Sequence, residues 1–387
     1  MKINYSEKLK KLPPYLFVEI DKKKKAAIDR GVDIISLGVG DPDYFTPDHI
    51  VRAAQQAAAK SENHHYPFGS GLKRFREAVA SWYKGRFNVG LDVENEIYPL
   101  IGSKEGIGHF HLAFVNPGDV VLVPEPGYPV YATGTIFSGG EPYFMSLLEK
   151  NNFLPDLDSI PENIRKKAKV LFINYPNNPT AVSAPKEFYE RVVSFALRYN
   201  IIVAHDAAYS ELYYGEKPMS FLEIPGAKDV GAEFHSLSKT YNMTGWRVGW
   251  VCGNRDIIKG IATVKDNYDS GVFQVVQEAA ITALTGPQEC VQVMRRIYGD
   301  RKAVFLDGLS KLGWTVRSPE ATFYVWAKVP RGYTSEKAAS KLLEEAAIVC
   351  TPGNGMGPSG EGYVRFALTV EVPRIKEALQ RMEKIKW

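Results

Sequence analysis

The chain has 387 residues, 45% hydrophobic and 24% charged, with a net charge of +4, values ordinary for a folded enzyme and too long for one simple core. Its basic residues form no stripe suited to a polyanion, no window approaches ~18 uninterrupted apolar residues, and MKINYSEKLKKLPP has no apolar h-region. Nucleic-acid binding, membrane spanning and export are therefore not expected.

In chain order, the longest basic run, Lys22 to Lys25, is read as the exposed face of an amino-terminal helix. The stretch Gly38-Val39-Gly40-Asp41-Pro42-Asp43 lacks the third glycine of a dinucleotide fingerprint and puts proline inside the would-be helix. Gly40 is read instead as a loop whose backbone approaches a substrate. His64-His65 have no carboxylate at ligand spacing, so no metal is expected. Gly102-Ser103-Lys104-Glu105-Gly106 opens a helix whose first-turn N–H groups favour a phosphate. The apolar run Asp119 to Val123 ends at Pro124-Glu125-Pro126-Gly127-Tyr128, a stiff turn that would lay Tyr128 over a flat ring. Lys169 to Tyr175 leads into Pro176-Asn177-Asn178-Pro179-Thr180. Lys186 to Tyr199 has the apolar period of a helix, and Ile201 to Ala204 leads into His205-Asp206-Ala207-Ala208-Tyr209. Glu233 to Leu237 leads into Ser238-Lys239. Short buried strands alternating with a helix, each ending in polar residues, predict an α/β fold with ligands at the strand ends.

The three cysteines, Cys252, Cys290 and Cys350, are odd in number and scattered, which points to reduced thiols in a cytoplasm. Near the carboxyl end, Glu320 to Ala327 and Gly362 to Leu368 read as strands, and Ser335 to Ala346 and Val372 to Lys384 as helices. The predicted organisation is an arm with part of a small domain at residues 1–45, a large α/β domain at 46–285, and a smaller α+β domain at 286–387.

Ser236, Ser238, Lys239 and Arg247 suit a phosphate ester with an amine beside it, because hydroxyls and a forked guanidinium match phosphate oxygens. A lysine so placed can hold an aldehyde cofactor as an imine. Pyridoxal phosphate further needs an anion for its ring nitrogen, which Asp206 can supply from a buried strand end, although Asp there also fits a helix cap. Tyr209 and Asn178 can donate to the phenolate oxygen; by default Asn177-Asn178-Pro179 is a turn.

These segments, with LGVGDPD (37–43), YPFGSG (66–71), IGSKEG (101–106), NYPNNPT (174–180), SLSKTYNMTGWRVGW (236–250) and YVRFAL (363–368), resemble the class I/II aminotransferases over essentially the whole length. That is the aspartate-aminotransferase fold, fold type I of the pyridoxal phosphate enzymes. The resemblance implies a mostly parallel seven-stranded sheet and ping-pong transamination of small amino and 2-oxo acids. It implies a catalytic set of Lys239 carrying the imine, Asp206 at the pyridinium and Tyr209 at the phenolate. It further implies a phosphate site around Ser103, Lys104, Ser236, Ser238 and Arg247, and Arg365 as the clamp for the α-carboxylate. It also implies a homodimer in which Tyr66 touches the partner's cofactor phosphate. Within the family the likeness runs to the LL-diaminopimelate aminotransferases of lysine biosynthesis, carried by KLPPYLFVEIDKKK (11–24), NNFLPDLDSIPE (151–162) and IVCTPGNGMGPSGEGYVR (348–365). These exchange an amino group between LL-2,6-diaminopimelate and 2-oxoglutarate. By position, Tyr15, Gly40, Lys104, Tyr128, Asn178 and Arg365 would meet substrate. One departure is Gly69, where the plant-type enzymes carry a glutamate for the distal ammonium; Ser270 or Gln274 is the substitute. The rivals are an alanine or aspartate aminotransferase on the same fold and a pyridoxal-binding transcription regulator, for whose DNA-binding domain residues 1–35 are too short.

Overall fold

The computed structural model describes residues 1, 3–13 and 16–387, the side chains of residues 16, 17, 19 and 23 excepted. Tyr15 lies outside the described residues. Among the described residues, twelve strands are β1 (Ile35–Ser36), β2 (Ile97–Leu100), β3 (Val120–Glu125), β4 (Glu141–Ser146), β5 (Ala168–Asn174), β6 (Ile202–Asp206), β7 (Gly231–Ser236), β8 (Gly249–Gly253), β9 (Tyr324–Lys328), β10 (Ile348–Val349), β11 (Thr351–Pro352) and β12 (Tyr363–Ala367).

Seven of them make one sheet in the order β2-β8-β7-β6-β5-β3-β4, as expected for the fold. Only β8 runs against its neighbours; the pairs β7–β6, β6–β5, β5–β3 and β3–β4 are parallel. Central strands such as β3 and β5 are buried along nearly their whole length and mostly apolar because helices cover both faces. Alternate residues of β5 show the division: Leu171 and Ile173 enter the cluster with Phe188, Val192 and Val203, while Val170 and Phe172 enter that with Phe110, Ala204 and Phe234.

The helix Lys186–Tyr199 returns the chain from β5 to β6 and stops at Asn200 in the left-handed region, φ 55°. Its buried face includes Phe188, Val192, Phe195 and Ala196, with Tyr189 and Val193 beside them. This parallel connection leaves the carboxyl ends of β5, β6 and β7 side by side, with Asn174 opposite Asp206 and Asp206 opposite Phe234.

A separate cluster (Leu37, Phe305, Val325, Ile348, Phe366 and others) surrounds the antiparallel sheet β11-β12-β9. The amino-terminal segment joins it, since β1 pairs with β10. Strand β9 begins at Tyr324, later than the run from Glu320 suggests. Thr322 is left-handed (φ 66°), donates its N–H to Leu212 O at 2.7 Å and lends its hydroxyl to Tyr324 N, so the chain bends before pairing begins. Arg301, 1% exposed, ties the loop after β1 to the long helix Glu289–Lys311: its two Nη atoms meet the Asp43 carboxylate at 2.7 and 2.6 Å, and Nη1 also donates to Leu368 O at 3.0 Å.

Candidate active site

The carboxyl ends of β3, β5, β6 and β7 open onto a cavity of about 320 Å³. Its wall includes Gly40, Ser103, Lys104, Tyr128, Asn178, Asp206, Tyr209, Ser236, Ser238, Lys239, Arg247 and Arg365, so residues spread over more than three hundred positions meet in one place.

At the floor, Asp206 is the last residue of β6 and 5% exposed. Its Oδ2 accepts from the Tyr131 hydroxyl at 2.8 Å and its Oδ1 from Ala208 N at 3.3 Å. Desolvation still raises this carboxyl above the ordinary carboxylate range, against the pull of these bonds and of His205 and His235. A positive group brought against it in the cavity would restore the anion, so the donor set fits a protonated ring nitrogen.

Lys239 projects from a single helical turn, Leu237–Thr240, whose cap is the Ser236 side chain accepting from Ser238 N. Its Nζ donates to Gly40 O at 2.8 Å. Desolvation brings the ammonium down to about 8, opposed by Asp41 and helped by Arg247 and Arg365. A side chain on Gly40 would run into the Tyr324 hydroxyl, which is why the loop backbone can come so close.

The helix Ser103–Phe114 starts at Gly102, φ 79°, and a Cβ there would lie 2.5 Å from Arg247 Nη2. Arg247 is itself left-handed, φ 55°, and its Nη1 donates to Thr244 O at 2.9 Å. First-turn N–H groups, two serine hydroxyls and a guanidinium are donors of the kind that a dianionic phosphate takes, so this donor set fits one. Lys104 Nζ lies 5.8 Å from the Tyr128 ring centre.

On the opposite wall, Arg365 is 1% exposed on β12. It donates through Nη1 to Asn178 Oδ1 at 2.7 Å and through Nη2 to Gly38 O at 2.9 Å, and its guanidinium carbon stands 4.2 Å over the Tyr324 ring. Asn178 N in turn donates to Asn174 Oδ1 at 2.9 Å, and Asn174 Nδ2 to Asp206 O at 2.8 Å. Tyr209 and Tyr324 hydroxyls are 2.9 Å apart.

Residues 32–382 match the family described as aminotransferase class I and II. The chain is 56% identical over 383 residues to the LL-diaminopimelate aminotransferase of Aquifex aeolicus, covering 99% of both chains. The same identity and coverage hold for that of Syntrophobacter fumaroxidans. The substrate-bound structure of BacF from Bacillus subtilis superposes with a TM-score of 0.96 at 38% identity, over 99% of this chain and 98% of that one.

The chain belongs to the class I and II aminotransferases.

Not every residue marked from the sequence of this aminotransferase reaches the cavity of its own chain. Tyr66 is 74% exposed, stacked on the equally open Phe68 at 5.2 Å, and lies outside it. Ser270 and Gln274 do not line it either. Conversely, the sequence reading did not single out Tyr131, Asn174 or Tyr324. A signal existed for Tyr131, which follows Tyr128 by three residues at a helix start and so shares its side. Asn174 closes the same strand that delivers Asn178. Tyr324 carries no local signal, because only the pairing of β9 with β12 brings it beside Arg365.

An amine at about 8 is half unprotonated at pH 8, whereas an ordinary lysine is then almost wholly ammonium. The rate at which Lys239 of the cofactor-free protein captures a pyridoxal-type aldehyde, followed by absorbance, should therefore rise about tenfold per pH unit below pH 7 and level off above about pH 9. A rate still climbing at pH 10 would mean an unperturbed lysine.

Proposed function

We propose that this aminotransferase moves an amino group between LL-2,6-diaminopimelate and 2-oxoglutarate, with pyridoxal phosphate held at Lys239. The observation that carries the substrate is the 56% identity, end to end, to enzymes named for it. When bound, the cofactor supplies an aldehyde that accepts the amino group and a ring that draws electrons from the substrate's α-carbon.

The chain's own residues do the rest. Asp206 would keep the proton on the ring nitrogen, a role that its dry setting and its need for a cation favour. Tyr209 would donate toward the phenolate oxygen; Asn178 Oδ1 is engaged by Arg365, which leaves the amide N–H to do likewise. Gly102–Lys104 backbone, Ser236, Ser238 and Arg247 would hold the phosphate. Lys239 would serve as the base that takes the proton from the substrate's α-carbon and as the acid that gives it back, which its lowered ammonium favours at neutral to mildly alkaline pH. One amine in fixed position serves both transfers. Arg365 offers its planar fork to the α-carboxylate beside the Gly40 backbone. Lys104 and Tyr128 stand where a second carboxylate would reach.

A homodimer belongs to the same reading. Tyr66 and Phe68, 74% and 73% exposed, offer a surface for a second copy, and Tyr66 would complete the partner's phosphate site.

The substrate assignment is tested by measuring kcat/KM for LL- and meso-diaminopimelate, alanine, aspartate and glutamate with 2-oxoglutarate; alanine or aspartate outrunning LL-diaminopimelate would replace it. Arg365→Lys should raise KM for every amino acid by about 10- to 100-fold, as a point charge replaces two forked bonds, with cofactor retention little changed. Equal loss of cofactor would make Arg365 structural. If Tyr66 serves across the interface, co-refolding Lys239→Ala chains with Tyr66→Ala chains should restore up to about a quarter of wild-type activity, since random pairing makes half the dimers mixed and each has one intact site. No gain over the parents would place Tyr66 outside the partner's site.

A further inference from the structure

On the far side of the sheet from the cavity lies a charged cluster that the reaction as described does not use. Glu233, on β7, is wholly buried, and so is His205, its register partner on β6. Glu233 Oε1 accepts from the Tyr83 hydroxyl at 2.9 Å and lies 2.8 Å from His235 Nε2. Oε2 accepts from the Ser220 hydroxyl at 2.7 Å and Phe221 N at 2.8 Å, and lies 3.2 Å from His205 Nδ1. Five polar contacts converging on one carboxylate keep it ionised despite its burial.

A buried anion needs a cation. The titratable groups around it are Tyr83, Tyr189 and Cys252, all held neutral by burial, Glu223 behind Ser220, and the two imidazoles. Only an imidazole can carry the balancing charge. His205 stands directly beside Asp206 in the chain: its Nδ1 lies 3.2 Å from the Glu233 carboxylate, at ion-pair distance, and its Nε2 lies 2.9 Å from Tyr175 O. Tyr175 N and the Tyr189 hydroxyl face the same Nε2 at longer range, 3.3 and 3.4 Å.

His205 immediately precedes Asp206, and consecutive residues of a strand point to opposite faces. We propose that Glu233 is a positioning residue for the reaction: it holds His205 as an imidazolium directly behind Asp206, and this charge keeps Asp206 a carboxylate able to hold the cofactor's ring nitrogen protonated. The inference rests on the reading that Asp206 meets that nitrogen. The imidazole charges do pull the Asp206 carboxyl down, against the dominant desolvation.

The test compares the pyridoxal phosphate-loaded wild type with Glu233→Gln, which keeps the shape and removes the charge, and Tyr83→Phe, which removes a neutral donor to the same carboxylate. Glu233→Gln should raise the Kd for pyridoxal phosphate about tenfold and move the midpoint of the bound chromophore's absorbance titration up by about half to one pH unit. Tyr83→Phe should leave both nearly unchanged even where it lowers Tm. Equal shifts in the two variants, or none in Glu233→Gln, overturn the proposal. Should Glu233→Gln fail to fold, histidine 15N NMR of the wild-type holoenzyme decides: His205 protonated on both nitrogens at pH 8 supports it, and a neutral His205 overturns it. A wild type that never binds pyridoxal phosphate defeats the reading of Asp206 as well. Cofactor lost in Asp206→Ala but held normally in Glu233→Gln defeats only this inference.

Discussion

The arrangement depends on one constraint: an acid and an amine must share a cavity dry enough to disturb both. Asp206 is pushed toward its neutral form and Lys239 toward its neutral form by the same loss of water. Neither shift serves folding, since each makes a buried group less comfortable in its ordinary charge state. Both suit a ligand that carries a positive ring nitrogen and an aldehyde. The parallel sheet makes this possible, because strands running the same way end at the same edge and present polar residues there without breaking the core beneath.

From that edge, rigidity spreads through hydrogen bonds. Arg365, Asn178, Asn174 and Asp206 form a continuous chain of bonds of 2.7 to 2.9 Å, linking the small antiparallel sheet to the centre of the large one. The arginine that would grip substrate and the carboxylate that would grip the cofactor are therefore held in fixed relation, which is the condition for a short-range proton transfer by one amine. Asp43 and Arg301 do the same for the loop bearing Gly40, from the other side. Tyr131 adds a bond to Asp206 itself and is held by stacking on Phe172 at 5.2 Å.

Much of this was legible in the chain, for reasons visible in particular residues. The helix Lys186–Tyr199 has the bounds its apolar period predicts, and β5, β6 and β7 lie within two or three residues of their apolar runs. Strands without such runs escaped notice. Proline sits inside β2, glycines flank the Trp-Val-Cys of β8, and β4 is an edge strand exposed at several positions. The cavity-lining residues named from the chain all stand within local motifs, Arg365 inside YVRFAL among them. Tyr324 could not be, because its place follows from a pairing between strands some forty residues apart.

The far end of a long dicarboxylic substrate poses a different problem. Within one chain the cavity wall holds Lys104 and Tyr128 but neither Ser270 nor Gln274. Gly69 and Ser270 are both left-handed, at φ 68° and 60°, and their loops touch: a Cβ on Gly271 would meet Pro67 O at 2.5 Å, and the Tyr98 hydroxyl donates to Gly69 O. Behind them Lys265, fully buried, bonds Asp269 and Glu105, the residue next to Lys104. The loop that carries Tyr66 outward is thus braced against the helix that carries Lys104 inward. If two copies meet over Tyr66 and Phe68, the same brace would set one subunit's contribution relative to its own cavity and its partner's at once. Distal recognition would then be a property of the pair, and a glycine at position 69 would ask its neighbours, not its own side chain, for the polar contact.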